Sequence, residues 1–392
     1  MKIKDVCSRF SSGDFISADK IYSFGNYPVY GGNGLRGYTD NYNFDGECAV
    51  IGRQGAYSGN VKFFSGKGHM TEHAIVAIGN ENNNTRFLAY KFGLMNLGRY
   101  AGQSAQPGLS VETLLNLDID LPSKDSQDKI ATILSYLDNK INLNKKNNAT
   151  LEAMAKTLYD YWFLQFDFPD ENGKPYKSSG GKMIFSPELQ REIPEGWKVG
   201  KISNFGTLKN GINYDKNTVG DQNFKIVNVK NISESKFSIA IESLDDINLP
   251  SKQAENFLTT EKDILIARSG IPGAVRTITG DDKSVIFCGF IICFQPREKV
   301  FKNYLMFTLQ KNYEILAKKS AGTIMKNITQ DTLKILTLPT PSQQILKKFN
   351  KAIDPIICKL NKNLLENNLL ENLRDFLLPM LMNGQVSFKE ED

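Results

Sequence analysis

The chain has 392 residues, 41% hydrophobic and 23% charged, which suffices for two domains that each bury a core. The net charge of +5 suits a polyanionic partner without requiring one, and five cysteines without CxxC spacing (Cys7, Cys48, Cys288, Cys293, Cys358) speak against a complete disulfide framework and for a reducing compartment. Residues 1–10 carry no signal-peptide core and no run approaches the ~18 apolar residues of a membrane span, so a cytoplasmic location is expected.

From residue 1 to 121, short apolar runs are punctuated by glycine: Tyr27-Pro28-Val29-Tyr30, then Gly31-Gly32-Asn33-Gly34, then Cys48-Ala49-Val50-Ile51. The spacing predicts strands joined by tight turns. After Leu121-Pro122 the period changes, with apolar residues at Ile130, Leu134, Leu137, Ile141, Leu151, Ala155, Leu158 and Trp162 and asparagines at the seam positions Asn144 and Asn148. Steps of three and four predict a coiled-coil spacer over 122–165, roughly 60 Å long at 1.5 Å per residue. Residues 166–197, with Gly173, Pro175, Ser178, Ser179, Gly180, Gly181, Pro187 and Pro194, read as a connector.

Residues 198–339 repeat the strand texture, most clearly at 263–267 and 285–287. A second heptad over 340–384 carries Leu346, Phe349, Ile353, Ile356, Leu360, Leu370, Leu377 and Leu381, again with seam asparagines, Asn363 and Asn367, and a tail follows over 385–392. Proline inside a helix costs about 3 kcal/mol or kinks it. This helix is therefore expected to restart near Pro355 and end near Leu378.

The two halves look like one module written twice, about 215 residues apart. Arg53-Gln54-Gly55 recurs as Arg268-Ser269-Gly270, Leu121-Pro122 before Gln127 as Leu338-Pro339 before Gln343, and Asn144 and Asn148 as Asn363 and Asn367. Lys2-Ile3 leading to Gly13 resembles Lys201-Ile202 leading to Gly211. A period this long means duplicated domains rather than a solenoid. Matching asparagine layers in two heptads predict that the helices pair with each other, because a buried amide needs a polar partner and so fixes register. Each helix capping its own domain is the plainer alternative, and heptads of like design also suit a homodimer.

Catalytic motifs are scarce. His69 and His73 are the only histidines, and their HxxxH spacing would suit zinc on a helix, but they flank a turn at Gly66-Lys67-Gly68 and a strand at 74–78, where four residues do not bring them together. Phe64-Ser65-Gly66-Lys67-Gly68 looks like the FxGxG of adenine methyltransferases, yet the base-gripping Asn/Asp-Pro-Pro-Tyr element is absent, and Asn26-Tyr27-Pro28 does not replace it. No GxxxxGK[ST] loop appears, and Pro169-Asp170 is not followed by the Glu-x-Lys of a nuclease. A non-catalytic chain without metal or cofactor of its own is expected.

What the modules offer is a binding surface. Asn33, Arg36, Tyr38, Arg53, Gln54, Tyr57 and Lys62 in the first copy, and Lys230, Asn231, Arg268, Ser269, Arg276 and Lys326 in the second, are candidate DNA contacts. Arginine donates two parallel hydrogen bonds to guanine, asparagine and glutamine pair with adenine, and lysine neutralises phosphate. Each of these residues, taken singly, is more often just a solvated surface group; recurrence in both copies favours Arg53 and Arg268.

Several stretches together are similar to one known family. Ile193-Pro194-Glu195-Gly196-Trp197, Arg268-Ser269-Gly270-Ile271-Pro272-Gly273, the Leu-Pro before each Gln-bearing helix, Leu373-Arg374-Asp375-Phe376-Leu377-Leu378-Pro379, and the run from Trp162-Phe163 to Pro175-Tyr176-Lys177-Ser178-Ser179-Gly180-Gly181 resemble specificity subunits of type I restriction-modification systems. The resemblance spans essentially the whole chain. It implies an α/β (α+β) protein with two target-recognition domains, each reading half of a split double-stranded DNA site, held apart by two helices in an antiparallel coiled coil. It also implies two methylation subunits carrying S-adenosylmethionine, and restriction subunits using ATP and Mg where cleavage occurs, in a bacterial or archaeal cytoplasm. An autonomous coiled-coil DNA-binding or scaffold protein without methylation partners is the competing expectation; a self-contained modification enzyme lacks its motifs.

Overall fold

The computed structural model describes residues 1–55, 57–102, 108–215, 220–280, 282–319 and 328–386, with only the backbone of 314–319. The chain divides into two compact units, Met1–Lys140 with Leu370–Asp392, and Ile141–Leu369.

The first unit runs α1 (Ile3–Val6), β1 (Cys7–Ser12), β2 (Tyr27–Gly31), β3 (Gly34–Thr39), β4 (Phe44–Gly52), β5 (Val61–Met70), β6 (Ala74–Gly79), α2 (Thr85–Leu94), α3 (Val111–Leu115) and the start of α4 (Lys124–Tyr159). Its six strands lie in the order β1-β6-β4-β5-β2-β3, antiparallel throughout except for β2 beside β5. Alternate residues of β4 and β6 serve opposite faces. Ala49, Ile51, Ile75 and Ala77 pack under Leu88 and Phe92 of α2, while Cys48, Val50 and Val76 pack on Phe44, Phe64 and Met70. Such runs are buried on both sides, which is why they read as continuous apolar stretches.

Gly66-Lys67-Gly68 is not a turn, as the sequence suggested, but the middle of β5. Gly66 pairs with Gly46 on β4, and both adopt positive φ, 119° and 133°, which a side chain would disfavour. The end of β5 meets the segment just after β1, where Asp14 N donates to Met70 O at 2.9 Å and Asp14 bridges Thr71. Below this sheet, Ile130, Ala131 and Leu134 of α4 pack with Phe87 of α2 and with Leu381 and Met382 near the chain's C-terminal end.

The second unit contains the rest of α4, then β7 (Met183–Ser186), β8 (Arg191–Pro194), β9 (Lys198–Lys201), β10 (Gly206–Asn210), β11 (Gln222–Val227), α5 (Val229–Glu234), β12 (Ser238–Ala240), β13 (Asp245–Leu249), α6 (Ser251–Ala254), β14 (Ile264–Ala267), β15 (Val275–Thr279), β16 (Val285–Phe287), β17 (Ile291–Pro296), α7 (Lys302–Lys319), α8 (Gln330–Lys334), β18 (Thr337–Thr340) and α9 (Gln343–Met382), of which residues 370–382 belong to the first unit. Its sheets, β10-β17-β14-β15-β12 and β13-β11-β16, repeat the first topology. β10, β17 and β14 take the places of β1, β6 and β4, and β11 with β13 those of β2 with β3. The long β5 is here broken into β15 and β16 at Gly280, φ 85°, and the inserted segment 229–243 adds α5 and β12, which pairs with β15 in parallel.

Residues 166–197 are no loose connector. Phe166, Phe168 and Trp197 are buried, Phe168 stacks on Trp197 at 5.4 Å and Tyr176 on Phe168 at 4.8 Å, and β7 pairs with β8 as a hairpin. Glycine and proline dominate the segment's composition, but these aromatics join Trp162, Phe163, Tyr304 and Phe349 in one core. Trp197→Ala is expected to lower stability by about 3–5 kcal/mol, measured by chemical denaturation; a loss within experimental error would mean the segment is not part of this core.

The spacer α-helix ends at Tyr159, short of residue 165, and gives way to a π-helical turn over Asp160–Leu164. The C-terminal helix corrects the sequence expectation in the other direction: α9 runs unbroken through Pro355 and Pro379. Pro355 lies on the exposed side, where water can satisfy the carbonyl that loses its helical donor, while Ile353 and Leu360 on the buried side hold the helix together.

Within the second unit the asparagines pair reciprocally. Asn144 Nδ2 donates to Asn367 Oδ1 at 3.0 Å and Asn363 Nδ2 to Asn148 Oδ1 at 2.8 Å, so residue numbers rise on one helix as they fall on the other. The helices are antiparallel, and the two bonds are mates under the internal duplication. Asn144→Leu strands Asn367 in the seam and is expected to cost about 1–3 kcal/mol. The double change with Asn367→Leu is expected to recover part of that loss; purely additive losses in a double-mutant cycle would show that the pair is not coupled.

Candidate nucleic-acid interface

The two copies hold their arginine loops with the same backbone hydrogen bonds. Arg53 N donates to His73 O at 2.9 Å as Arg268 N does to Phe290 O at 2.9 Å, and Arg53 O accepts from Leu109 N at 2.8 Å as Arg268 O does from Ile328 N at 3.1 Å. Gly13 N binds Ala74 O as Gly211 N binds Ile291 O, both at 3.0 Å. Thr71 N binds Tyr30 O as Cys288 N binds Val227 O, at 2.9 and 3.0 Å, and Asp14 N binds Met70 O as Ile212 N binds Phe287 O, both at 2.9 Å. Arg53 and Arg268 thus occupy one position in one framework.

The same bonding corrects two sequence landmarks. Ser123 and Ser342 open the spacer helices, with Gln127 N bound to Ser123 O and Leu346 N to Ser342 O, so the counterpart of Gln127 is Leu346, not Gln343. Ile3 N donates to Leu117 O as Ile202 N does to Leu336 O, which places the N-terminal landmarks closer together in sequence than the loops that follow them.

In the first copy, the turn between β2 and β3, the loop after β4 and the turn after β5 converge. Gly32 and Gly52 approach so closely that a Cβ on Gly52 would lie 2.2 Å from Gly32 O, so glycine is needed there. Asn33, Arg36, Gln54, Tyr57 and Lys62 are exposed around this point. Lys62 Nζ covers Gly34, where a Cβ would meet it at 2.7 Å. Arg53 is half-buried, its guanidinium donating to Ser12 Oγ at 3.1 Å. Tyr38 stands apart, paired with Pro28 away from the hairpin turn and bonded through its backbone to Tyr22. Burial, with Tyr38 and Cys48 nearby, pushes the neighbouring Tyr30 hydroxyl to a higher pKa.

In the second copy, Arg268 donates from a terminal nitrogen to Gly289 O at 2.9 Å, and its Nε is buried without an acceptor among the described residues. Ser269 is half-buried, Lys230 is exposed on α5, and Gly270, φ 76°, packs on Val229 of the same helix. Two other candidates serve the fold. Asn231 is 8% exposed and completes the capping box of α5, accepting from Asn228 N at 2.8 Å. Arg276 donates to Ser235 O, Ser235 Oγ and Val275 O at 2.8–3.1 Å; burial lowers its pKa while Glu152 and Tyr313 oppose that. Neither side chain is free for a partner in this conformation, because Asn231 caps the inserted helix from within and Arg276 is bonded to Ser235 of the inserted segment. Lys326 lies outside the described residues.

Composition and spacing did not reveal the turn that carries the arginine's own partners. Glu72 and His73 fill it in the first copy, joined at 3.0 Å, and Gly289 and Phe290 in the second, with Phe290 62% exposed. His69 lies on β5 and His73 in the turn, and among the described residues no group of His, Cys, Asp and Glu could hold a metal. Phe64 to Gly68 lies wholly within a strand, so no loop leading into a helix is present to cradle a cofactor.

A duplicated sheet topology carrying an arginine loop, joined to antiparallel heptad helices, defines a two-module recognition protein. A family profile described as type I restriction modification DNA specificity domain matches residues 1–153 and 194–373, and the chain belongs to that family, which is non-catalytic. It is 29% identical over 316 residues to the MjaIX type I restriction enzyme specificity subunit of Methanocaldococcus jannaschii, covering 78% of this chain and 70% of that one. It is 41% identical over 134 residues, a third of each chain, to the EcoprrI type I restriction enzyme specificity subunit of Escherichia coli. The crystal structure of the type I restriction-modification S subunit from M. genitalium shares the fold, with a TM-score of 0.65 at 15% identity over 100% of this chain and 96% of that one.

Proposed function

We propose that this chain gives a type I restriction-modification complex its DNA sequence specificity. Residues 1–121 read one half of a bipartite double-stranded site and residues 198–339 the other. The helices over 122–165 and 340–384 set the gap and dock two methylation subunits. The observation that carries the proposal is the matched bonding of Arg53 and Arg268, which presents the same side chain from two copies of one framework. Asn33, Arg36, Gln54, Tyr57 and Lys62 surround the first arginine, and Lys230 and Ser269 the second. The reciprocal asparagine layers would hold the helices in register, and with it the separation of the two readers.

Methyl transfer from S-adenosylmethionine belongs in this scheme to the methylation subunits, and ATP and Mg to restriction subunits where they join. No helix among the described residues is long and apolar enough to cross a membrane; in this scheme the complex works on DNA in a bacterial or archaeal cytoplasm. Co-expression tests the scheme: the chain is expected to co-purify with a methylation subunit and to transfer no methyl group alone. Purification as a DNA-binding homodimer that ignores methylation subunits would favour an autonomous binding protein instead.

A further inference from the structure

The turn beside the shared arginine position has opposite chemistry in the two copies. Glu72 and His73 stand where Gly289 and Phe290 stand, fixed by five flanking backbone bonds that match between the copies. Glu72 holds His73 through one carboxylate oxygen at 3.0 Å, while Oε2 is buried without a partner among the described residues. Phe290 presents its ring to solvent, 62% exposed, one residue beyond the Gly289 carbonyl that holds Arg268. A carboxylate among cationic and amide side chains is repelled by phosphate, so it gains nothing from the DNA backbone. It has a use against a base edge that donates. A solvent-exposed phenyl ring likewise gains from an apolar group in the groove, and thymine's methyl is the one the major groove offers.

Resting on the proposed function, we infer that this turn makes the two half-sites unlike: Glu72, its unpartnered Oε2 turning out of the protein on binding, accepts a hydrogen bond from the N4 amino group of a cytosine, and Phe290 packs on the methyl of a thymine. His73 positions the carboxylate. Glu72→Gln and Phe290→Ala, each expressed with the methylation partner, are read by long-read methylation sequencing of the host genome. Glu72→Gln is expected to relax a cytosine in one half-site only, and Phe290→Ala a thymine in the other only, each by roughly ten-fold in discrimination. The unaltered half-site reports that the variant is folded. Should a variant abolish methylation altogether, the unmodified complex is tested on duplexes instead, with uracil for thymine in the second half-site; unchanged binding there overturns the Phe290 assignment. Duplexes with 2-pyrimidinone, which lacks the amino group, in place of cytosine in the first half-site test Glu72 in the same way. A bipartite motif left letter for letter the same by both variants overturns the inference and spares the proposed function, whereas a genome with no bipartite motif depending on this chain overturns the function itself.

Discussion

Replacing Arg53 with alanine is expected to relax recognition at one half-site and leave the other untouched, and Arg268→Ala is expected to do the converse. The expectation follows from position. Both arginines sit between the same backbone partners, with donors left over after Arg53 reaches Ser12 and Arg268 reaches Gly289. A guanidinium that contacts a guanine bidentately contributes about 1–3 kcal/mol of discrimination, so a ten- to hundred-fold loss of preference at one base is the expected scale. Genome methylation sequencing with the variant subunit checks it, because partial methylation at degenerate sites appears directly. Equal loss at both half-sites would count against separate readers. The half-buried stems of both residues make some loss of stability expected as well, which a thermal melt separates from loss of specificity.

Deleting a heptad from each helix, residues 137–143 together with 368–374, is expected to narrow the gap between half-sites while leaving their sequences unchanged. Seven helical residues span about 10 Å. At 3.4 Å per base pair that is about three base pairs of unread spacer. The deletion keeps both asparagine layers, so the seam can re-form in register, but it removes the 3.0 Å ion pair between Arg374 and Asp138 and the bond from Tyr90 to Asp138, and lowered stability is expected alongside. A changed half-site with an unchanged gap would defeat the idea that the helices act as a ruler.

The heptads and their asparagines were legible in the sequence because helix packing has a short period and an asparagine in an apolar seam breaks it visibly. The duplication was legible too, from Arg53-Gln54-Gly55 and its echo at 268. Where the alignment drifted, as at Gln127 and Gln343, side-chain identity misled and backbone bonding decided. The facing pair of Gly46 and Gly66 was hidden because two glycines paired across strands look, in sequence, like two separate turns. The aromatic core around Trp197 was masked by neighbouring glycine and proline, and the unbroken α9 shows tertiary packing overriding proline's local cost.

Of the candidate residues, the equivalence of Arg53 and Arg268 was legible in the sequence, and their surroundings much less so. Asn231 and Arg276 have the right chemistry for DNA, but both are taken up by the second copy's insertion: Asn231 caps the insertion's own helix and Arg276 is held by Ser235. Glu72 and Phe290 went unnoticed for a different reason. One is acidic and the other apolar, and they become comparable only once the backbone shows that they flank equivalent arginines.

The central claim, that this one chain holds two separate readers at a fixed spacing, is tested most directly by long-read methylome sequencing of the host with and without the gene. One bipartite motif, with two unlike halves and a constant gap, is expected to lose its methylation when the gene is absent. Persistence of every methylated motif, or loss of a single uninterrupted one, would contradict it.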